Sequence, residues 1–385
     1  MGFRKNSIPL TNILSSKASM MKIPISGTFE LSPVCNFACK MCYVRKTEKQ
    51  VLGHNRPIVS KEQWIKIARE AHDQGMLFLL LTGGEPFLWP DFRELYIELI
   101  KMGFVICINT NGSLIDAETI EWLKKYPPKR LNITLYGADD ECYEALCGVK
   151  GVFGKIDQAI KGLQEAGVMV KLNSSMTPTN VKDMEKIIEY ARENNLILEM
   201  ATYMFPPIRR DDRMIGENHR FTAEEYAKYH LERYRLQYGE ERYFDMLKNI
   251  LNKSVPPPGL DESCRDPLDG KIRCRAGKAA FWITWDGYLT PCGMMPDPKV
   301  DLYDKEFSEA WEELVNKTEK VCLSGVCNSC PNQELCHTCA AIAVAETGDS
   351  AGIPTYLCRS VEIFQKIAEE DLIVLNTNFK EKERM

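Results

Sequence analysis

Three cysteines near the start of the chain are spaced like the ligands of one metal centre. Cys35, Cys39 and Cys42 are separated by three and by two residues, and Tyr43 follows the last of them. Three thiolates on one loop can hold three corners of a cubane iron–sulfur cluster and leave its fourth iron open, whereas most electron-transfer clusters use four cysteines. The open iron can bind and reduce a small molecule. A zinc site completed by a distant residue, or three unmodified thiols, would also fit this spacing.

A second polar segment follows the next apolar run of the sequence. It comprises Thr82, Gly83, Gly84 and Glu85. Paired glycines at the end of a strand allow a close approach of the backbone to a ligand, and the glutamate supplies a carboxylate. A Gly-Gly turn is common and is weak evidence by itself. The segment is more informative because it lies at the end of the second predicted strand, opposite the cysteine loop.

Together the two segments resemble the radical S-adenosylmethionine (radical SAM) superfamily, and the resemblance covers about residues 25–205. It implies that the three cysteines ligate a [4Fe–4S] cluster whose open iron is chelated by S-adenosylmethionine (SAM). It also implies that the Thr-Gly-Gly-Glu segment holds the methionine amino group and that Tyr43 lies near the adenine. Electron transfer would then cleave SAM to methionine and a 5′-deoxyadenosyl radical, which abstracts a hydrogen atom.

Further polar residues lie where later predicted strands end and are predicted to contact the cofactor. They are Asn109, Asn111, Tyr136 and Asn173. Ligands of a β/α barrel bind at these strand ends. Ordinary turn chemistry is the alternative, because Asn-Gly is a common turn dipeptide.

Nine more cysteines lie between residues 264 and 358. Four of them form a C-x2-C-x5-C-x2-C block, Cys327, Cys330, Cys336 and Cys339. By spacing alone this block fits a zinc ribbon, with His337 as a further ligand, or one or two iron–sulfur clusters.

The C-terminal pattern also resembles a family, the SPASM extension of radical SAM enzymes, over about residues 264–360. The resemblance implies two auxiliary [4Fe–4S] clusters. One would use Cys274, Cys292 and Cys339, with Cys264 as the fourth ligand. The other would use Cys327, Cys330, Cys336 and Cys358. The spacing before Cys339 is one residue shorter than usual, so Cys322 is a possible substitute for it. The other cysteines, Cys107, Cys142 and Cys147, are predicted to be buried thiols.

Apolar runs and amphipathic stretches alternate between residues 28 and 201. The runs predict strands at 28–31, 77–82, 105–109, 131–135, 168–172 and 196–201. Helical spacing predicts helices at 60–74, 91–102, 116–125, 152–166 and 180–195. Repeated strand–helix units predict an α/β fold with a parallel sheet. Six units are too few to close an eight-stranded barrel, and the resemblance implies a partial (β/α)6 TIM-like barrel followed by a Cys-rich SPASM domain.

Composition excludes several classes of protein. The 385 residues carry a net charge of −5, which argues against nucleic-acid binding through overall charge. No apolar run is long enough to span a bilayer and the N-terminus has no signal-peptide core, so we expect a cytoplasmic protein without a membrane partner. Fifteen cysteines in such a protein are not expected to form structural disulfides.

Five segments are predicted along the chain. They are an N-terminal segment (1–25), the barrel (26–215), a helical bridge with a proline-rich linker (216–263), the SPASM domain (264–360), and a C-terminal helix with a charged tail (361–385). Residues 264–360 show little apolar periodicity, so we expect metal rather than a hydrophobic core to hold them together.

The resemblance implies a peptide substrate, because SPASM enzymes mostly modify peptides or proteins. Thioether or carbon–carbon crosslinking ranks above formylglycine formation, because sulfatase maturases carry an aspartate base where this chain has Gly293. A protein substrate or a small molecule is the alternative, and a non-enzymatic zinc or cluster module is disfavoured. An electron donor such as flavodoxin or ferredoxin is expected. Because only about 25 residues precede the barrel, leader recognition is expected from a separate protein or from the body of the enzyme.

Charged residues near the sixth strand are the remaining candidates for function. Arg209, Arg210 and Arg213 could grip a peptide, or could lie on a solvated turn. Glu199 and the Asp211–Asp212 pair are candidates for the general base, and their alternative role is to pair with Arg209 or Arg210.

The first prediction concerns the cysteine triplet. Changing Cys35, Cys39 and Cys42 together to alanine removes three ligands, so reductive cleavage of SAM should be abolished while the auxiliary clusters remain. The formation of 5′-deoxyadenosine, measured by chromatography, is the test. Retained cleavage in the triple variant would falsify the assignment.

Overall fold

A computed structural model describes residues 10–252, 271–333, 335–336 and 338–382, with side chains up to Leu375. Cys264, His337, most of the predicted linker and the charged tail after Leu375 lie outside the described side chains. Within the described residues no helix is both long and apolar enough to span a membrane. The cytoplasmic location stays a prediction.

One twisted sheet organises the molecule. Its strands in chain order are β1 (Ser26–Glu30), β2 (Phe78–Thr82), β3 (Val105–Thr110), β4 (Arg130–Thr134), β5 (Val170–Ser175), β6 (Ile197–Ala201), β7 (Ala280–Ile283), β8 (Tyr288–Thr290) and β9 (Val300–Asp301). The spatial order is β6-β5-β4-β3-β2-β1-β7-β8-β9. Strands β1 to β6 are parallel neighbours, which confirms the predicted six-unit partial barrel.

Helices cover the outer face of the sheet and extend beyond it. They are α1 (Leu10–Met21), α2 (Glu48–Leu52), α3 (Lys61–Asp73), α4 (Phe92–Lys101), α5 (Ala117–Lys125), α6 (Asp140–Cys147), α7 (Phe153–Glu165), α8 (Met184–Glu193), α9 (Ala223–Tyr238), α10 (Glu240–Leu251), α11 (Phe307–Thr318), α12 (Gly325–Asn328), α13 (Ala340–Thr347) and α14 (Thr355–Lys382). Local sequence accounts for their ends. Ser60 and Gln63 form the capping box expected at the start of α3.

The two faces of the barrel strands differ in polarity. Along β3, Ile106 and Ile108 point to the helices and are fully buried in the core. Cys107 and Asn109 alternate with them and therefore point to the inside of the barrel. Cys107 was predicted to be a core thiol, and this prediction is wrong. It is half-buried and lies near the charges of Arg130 and Lys171, because the strand period places it on the inner face.

The C-terminal region contributes to the same sheet. β7 pairs in parallel with β1, on the side opposite β2, with Phe29 beside Ile283. Phe281 of β7 packs against Phe307 and Trp311 of α11, with ring centroids 5.0 and 5.9 Å apart. The expectation that residues 264–360 lack an apolar core is therefore wrong for this part, because a short strand and one amphipathic helix supply one.

Two further differences from the predicted elements concern helices. No predicted helix covers α6, although Asp139 caps its start by accepting from the Cys142 N–H at 2.9 Å. The last helix begins at Thr355 rather than at 361. Leu357 and Val361 are both buried, so the apolar face of this helix begins before residue 361. The limits of the five predicted segments stay predictions.

Candidate active site at the C-terminal end of the barrel

The cysteine loop is held against the end of β2 by a continued strand pairing. Beyond the last residues of β1 and β2, Leu31 N donates to Thr82 O at 2.9 Å. Gly84 N then donates to Ser32 O at 2.7 Å, and Glu85 N to Val34 O at 3.0 Å. The backbone that leads into Cys35 is thus fixed to the Thr-Gly-Gly-Glu segment by three hydrogen bonds.

Both glycines of that segment are required by this close packing. A Cβ atom at position 84 would lie 2.2 Å from Val34 O, and one at position 83 would lie 2.5 Å from Ser32 O. The neighbours are backbone atoms of a hydrogen-bonded loop, which cannot move aside cheaply. The sequence interpretation had the glycines approaching a ligand, whereas in the structure they approach the cysteine loop itself.

Glu85 joins the ends of β2 and β3. Its Oε1 accepts from Thr110 Oγ1 at 2.8 Å and from Phe87 N at 3.1 Å, while Oε2 accepts from Asn111 N at 2.7 Å. Burial raises the pKa of this carboxyl to about 7, against the lowering effect of the three donors. The residue therefore fixes the loop after β3. A carboxyl with a pKa of about 7 is partly protonated at neutral pH.

Asn111 connects that same loop to the cysteines. Its amide nitrogen donates to Asn36 Oδ1 at 2.9 Å and lies 3.8 Å from Cys35 Sγ. Its oxygen accepts from the N–H and the hydroxyl of Ser113 at 2.9 and 2.7 Å. Asn111 was predicted to contact the cofactor, and in the structure it contacts the cysteine loop.

The loop provides hydrogen-bond donors for its sulfurs. Cys35 Sγ accepts from Phe37 N at 3.3 Å, and Cys42 Sγ accepts from Arg45 N at 3.4 Å. Burial nevertheless raises the pKa of Cys35 to about 12 and raises the pKa of Cys42, so a bare thiolate is disfavoured at either position. A positively charged metal centre would remove that penalty, so Cys35 and Cys42 fit an iron–sulfur cluster.

Within the described residues, no three His, Cys, Asp or Glu side chains are placed so that they could hold a single metal ion. A cubane places its ligands on separate irons at separate corners. The assignment of Cys35, Cys39 and Cys42 to a cluster stays a prediction.

The other residues predicted to bind the cofactor occupy varied positions. Thr82 is buried at the end of β2, and Asn109 accepts a hydrogen bond from Asn132 at 2.8 Å inside the barrel. Asn173 differs from both, because its Oδ1 is buried and has no hydrogen-bond partner in the described part of the chain. An unpartnered buried acceptor within β5 is free to accept from a bound ligand.

The C-terminal cysteines form two spatial groups. The thiol charges of Cys274, Cys292 and Cys339 interact, and burial raises the pKa of Cys339 to about 12. The second group is Cys327, Cys330, Cys336 and Cys358. Burial, and then the charges of neighbouring thiols of the group, raise the pKa values of Cys327, Cys336 and Cys358. Cys322 is exposed, with its sulfur 3.6 Å from Lys271 Nζ. The division of these cysteines between two auxiliary clusters stays a prediction.

Comparison with known proteins identifies the first part of the chain. A family model described as "Radical SAM superfamily" matches residues 29–191, which run from β1 through the cysteine loop to α8. The chain contains a radical SAM domain. The prediction that the protein is an enzyme of this superfamily is confirmed.

Two curated relatives are similar to this chain over alignments of different length. The AdoMet-dependent heme synthase of Methanosarcina barkeri is 24% identical over 348 residues, which are 86% of this chain and 95% of that protein. The antilisterial bacteriocin subtilosin biosynthesis protein AlbA of Bacillus subtilis is 31% identical over 182 residues. That alignment covers 47% of this chain and 40% of AlbA.

Among solved structures, Streptococcus suis SuiB bound to precursor peptide SuiA has a TM-score of 0.64 at 18% identity. The match covers 93% of this chain and 84% of SuiB. The same protein bound to S-adenosylmethionine gives a TM-score of 0.60. The fold of the radical SAM domain and of the described C-terminal region is therefore one that SuiB shares.

A buried ion pair joins the radical SAM domain to the C-terminal region. Arg209, in the loop after β6, donates to both oxygens of Glu30 at 2.9 and 2.8 Å and to Gly293 O at 2.8 Å. Trp282 Nε1 also donates to Glu30, at 2.9 Å. The side chains of Arg209 and Glu30 are only 11% and 1% exposed. Arg209 therefore neither grips a peptide nor lies on a solvated turn, contrary to both sequence interpretations.

The candidate bases near β6 have other partners. Glu199 pairs with Lys171 of the neighbouring strand rather than with Arg209 or Arg210. Asp211 accepts from Arg213 at 2.8 and 2.7 Å, and this pairing lowers the pKa of its carboxyl to about 2. A carboxylate with so low a pKa is a weak general base at neutral pH.

Three residues of the site were missed by sequence reasoning. Trp282 lies over Gly293, where a Cβ atom would be 2.6 Å from the indole ring. Glu30 and Cys147 are the other two. The only signal in the sequence was the glutamate at the end of an otherwise uncharged strand. Nothing in the spacing relates Trp282 or Cys147 to the barrel mouth.

The ion pair gives the second prediction. Replacing Arg209 with alanine leaves Glu30 buried without its countercharge, which should cost about 3–5 kcal/mol of unfolding free energy. Arg213→Ala is the matched control in the same loop, because Arg213 is 85% exposed, and its loss should cost less than about 1 kcal/mol. Urea denaturation of both variants is the measurement. Equal losses would contradict a structural role for the buried pair.

Proposed function

We propose that the protein is a radical SAM enzyme that modifies a ribosomally made peptide by hydrogen abstraction, forming a thioether or a carbon–carbon crosslink. The observation that carries the proposal is the cysteine loop, which three backbone hydrogen bonds fix to the end of β2. The names of AlbA and SuiB, a bacteriocin biosynthesis protein and a protein bound to its precursor peptide, support a peptide substrate.

Cys35, Cys39 and Cys42 would hold the [4Fe–4S] cluster. When bound, this cluster supplies the electron that cleaves SAM and so generates the radical that removes a hydrogen atom from the substrate. The chain's own groups bind and orient. Asn173 Oδ1 can accept from a cofactor donor, and the Glu85–Asn111 contacts keep the loops after β2 and β3 in register with the cysteines. Tyr43, largely buried beneath Arg209, would form one wall near the adenine.

Two auxiliary [4Fe–4S] clusters would occupy the C-terminal cysteine groups, with Cys264 completing the first. Helix N-termini would favour anionic sulfur there, since Cys339 stands at the N-cap position of α13 and Cys358 lies in the first turn of α14. The simplest role of these clusters is to accept the electron that remains after hydrogen abstraction. Flavodoxin or ferredoxin would supply the initial electron. Leader recognition, by a separate protein or by the body of the enzyme, is part of the same proposal.

A small-molecule substrate is the second candidate. The heme synthase relative supports it, since 95% of that protein aligns with this chain. The inner face of the barrel also carries cationic side chains, Arg130 and Lys171, which could receive carboxylate groups of a compact substrate. Lys171 is already paired with Glu199, which weakens this support.

Mass spectrometry on the anaerobically reconstituted protein decides between the two candidates. Three clusters predict about 12 irons per chain. A short precursor peptide encoded beside the gene should lose two hydrogen atoms per crosslink while SAM is cleaved. No change in that peptide, with conversion of a carboxylated tetrapyrrole instead, would favour the second candidate. Zinc in place of iron would contradict the auxiliary-cluster assignment.

The indole over Gly293 gives the next prediction. The enzyme should make no formylglycine on a sulfatase-type Cys or Ser peptide, yet still cleave SAM, because residue 293 supplies no base. Gly293→Asp should not create the activity either, since Trp282 fills the space for a side chain. It should instead lower stability by about 1–3 kcal/mol.

Gly154→Ala in α7 is the control for adding a side chain at a glycine. A Cβ atom there meets nothing within 4 Å, so stability should be unchanged or slightly higher. Aldehyde formation by the parent protein, detected by mass spectrometry, would overturn the ranking of crosslinking above formylglycine formation.

A further inference from the structure

The inner face of the barrel carries a row of polar side chains from β3, β4 and β5. Asn132 is paired in register with Asn109 on one side and with Lys171 on the other. Its Nδ2 donates to Asn109 Oδ1 at 2.8 Å. Two residues of extended chain, about 7 Å, separate Asn109 from Asn111, which contacts the cysteine loop. The row therefore lies inside the barrel, close to the candidate active site.

Arg130 reaches this row from the start of β4. It alternates with the core residues Leu131 and Ile133, so its side chain lies on the inner face. Its Nε donates to Asn132 Oδ1 at 2.8 Å, which directs the guanidinium toward the mouth of the barrel. Within the described residues its two Nη nitrogens have no hydrogen-bond or ion-pair partner. The edge formed by Nη1 and Nη2 is one that binds a carboxylate through two parallel hydrogen bonds.

The charges near Arg130 do not supply it with a counter-ion. Glu199, the carboxylate that β6 contributes to the inner face, pairs with Lys171. Cys107 is paired in register with Arg130, and burial raises the pKa of its thiol, so it keeps its proton at neutral pH. Arg130, Lys171 and Glu199 together carry one net positive charge. A half-buried guanidinium in this setting favours the binding of an anion.

The interior of the barrel is open to solvent beside β6. Ile197 is 63% exposed and the side chain of Glu199 is 69% exposed. Ile197 is paired in register with Lys171, so these exposed side chains belong to the same face as the polar row. A substrate can therefore reach the row from solvent without displacing a packed core.

We propose that Arg130 is a specificity-determining residue whose Nη1–Nη2 edge receives a carboxylate of the substrate inside the barrel. The inference rests on the proposed function and deepens it, because a peptide substrate would then carry an aspartate or glutamate close to the position that loses hydrogen. A small-molecule substrate would supply the same carboxylate chemistry. Lys171, neutralised by Glu199, contributes less.

The first test uses Cys107 as a reporter of anions beside Arg130, since neighbouring strands lie about 4.8 Å apart. Iodoacetate and iodoacetamide alkylate the same thiolate and differ in the carboxylate. The ratio of their rate constants at one cysteine therefore cancels any change in thiol reactivity. In the full-length, anaerobically reconstituted protein, Arg130→Gln should lower this ratio at Cys107 by about threefold or more, measured by mass-spectrometric peptide mapping.

Lys129→Gln is the matched control. It removes the same charge from the adjacent, exposed residue and should leave the ratio near that of the parent. Should Arg130→Gln fail to fold, Arg130→Met decides, because it keeps an aliphatic side chain and loses the charge. A ratio that Arg130 variants leave unchanged, or a Cys107 that reacts with neither reagent, would overturn the inference.

Turnover identifies the source of the carboxylate. With a precursor peptide encoded beside the gene, Arg130→Gln should raise KM by about 10- to 100-fold and change kcat less. Replacing one acidic residue of the peptide by its amide should have the same effect on the parent enzyme and add little to Arg130→Gln. If a carboxylated tetrapyrrole is converted instead, its methyl ester should show this behaviour, and the small molecule supplies the carboxylate.

The inference and the proposed function fail in different ways. A peptide that is modified while SAM is cleaved, with a KM that does not respond to Arg130→Gln, would overturn the inference alone. A protein that cleaves no SAM would contradict the proposed function, and the alkylation ratio would still report on the anion site because it requires no turnover.

Discussion

The site depends on the hydrogen bonding between β1 and β2 continuing past the ends of both strands. Ser32 and Val34 accept from the backbone of Gly84 and Glu85, so the loop that leads into the cysteines is an extension of the sheet rather than a free excursion from it. This requires a separation between backbones that no side chain at position 83 or 84 would permit. The position of the cysteine loop is thereby set by the pairing of β1 with β2.

Each neighbouring strand adds one link to that arrangement. Glu85, at the end of β2, accepts a hydrogen bond from the backbone of Asn111 in the loop after β3. The side chain of Asn111 in turn contacts Asn36 and the sulfur of Cys35. From the other side, the last turn of α6 holds the residues next to Cys39. These contacts arrange donors around the sulfurs, which is what a loop needs if it is to carry a cluster whose charge changes during the reaction.

The two halves of the protein are coupled through one sheet and one buried charge pair. β7 extends the barrel sheet beyond β1, and the Glu30–Arg209 pair reaches the carbonyl of Gly293, next to Cys292. A buried ion pair costs desolvation, and here the cost is offset because Glu30 has a further donor in Trp282 and Arg209 a further acceptor in Gly293. A centre at Cys292 would thus be held at a fixed place relative to the mouth of the barrel.

The sequence by itself determined what is local. The spacing of the cysteines, the Thr-Gly-Gly-Glu segment, six strand–helix units and the capping box at Ser60 could all be predicted, because each depends on residues close together in the chain. The tertiary structure alone decided that Arg209 is buried against Glu30, that Glu199 meets Lys171, that Trp282 covers Gly293, and that Cys147 binds the backbone of Ala38. The two members of each pair are between 11 and 179 residues apart in the chain, so no local sequence pattern predicts them as partners. Only the packing of β7, α6 and the loop after β6 around the barrel mouth brings them into contact.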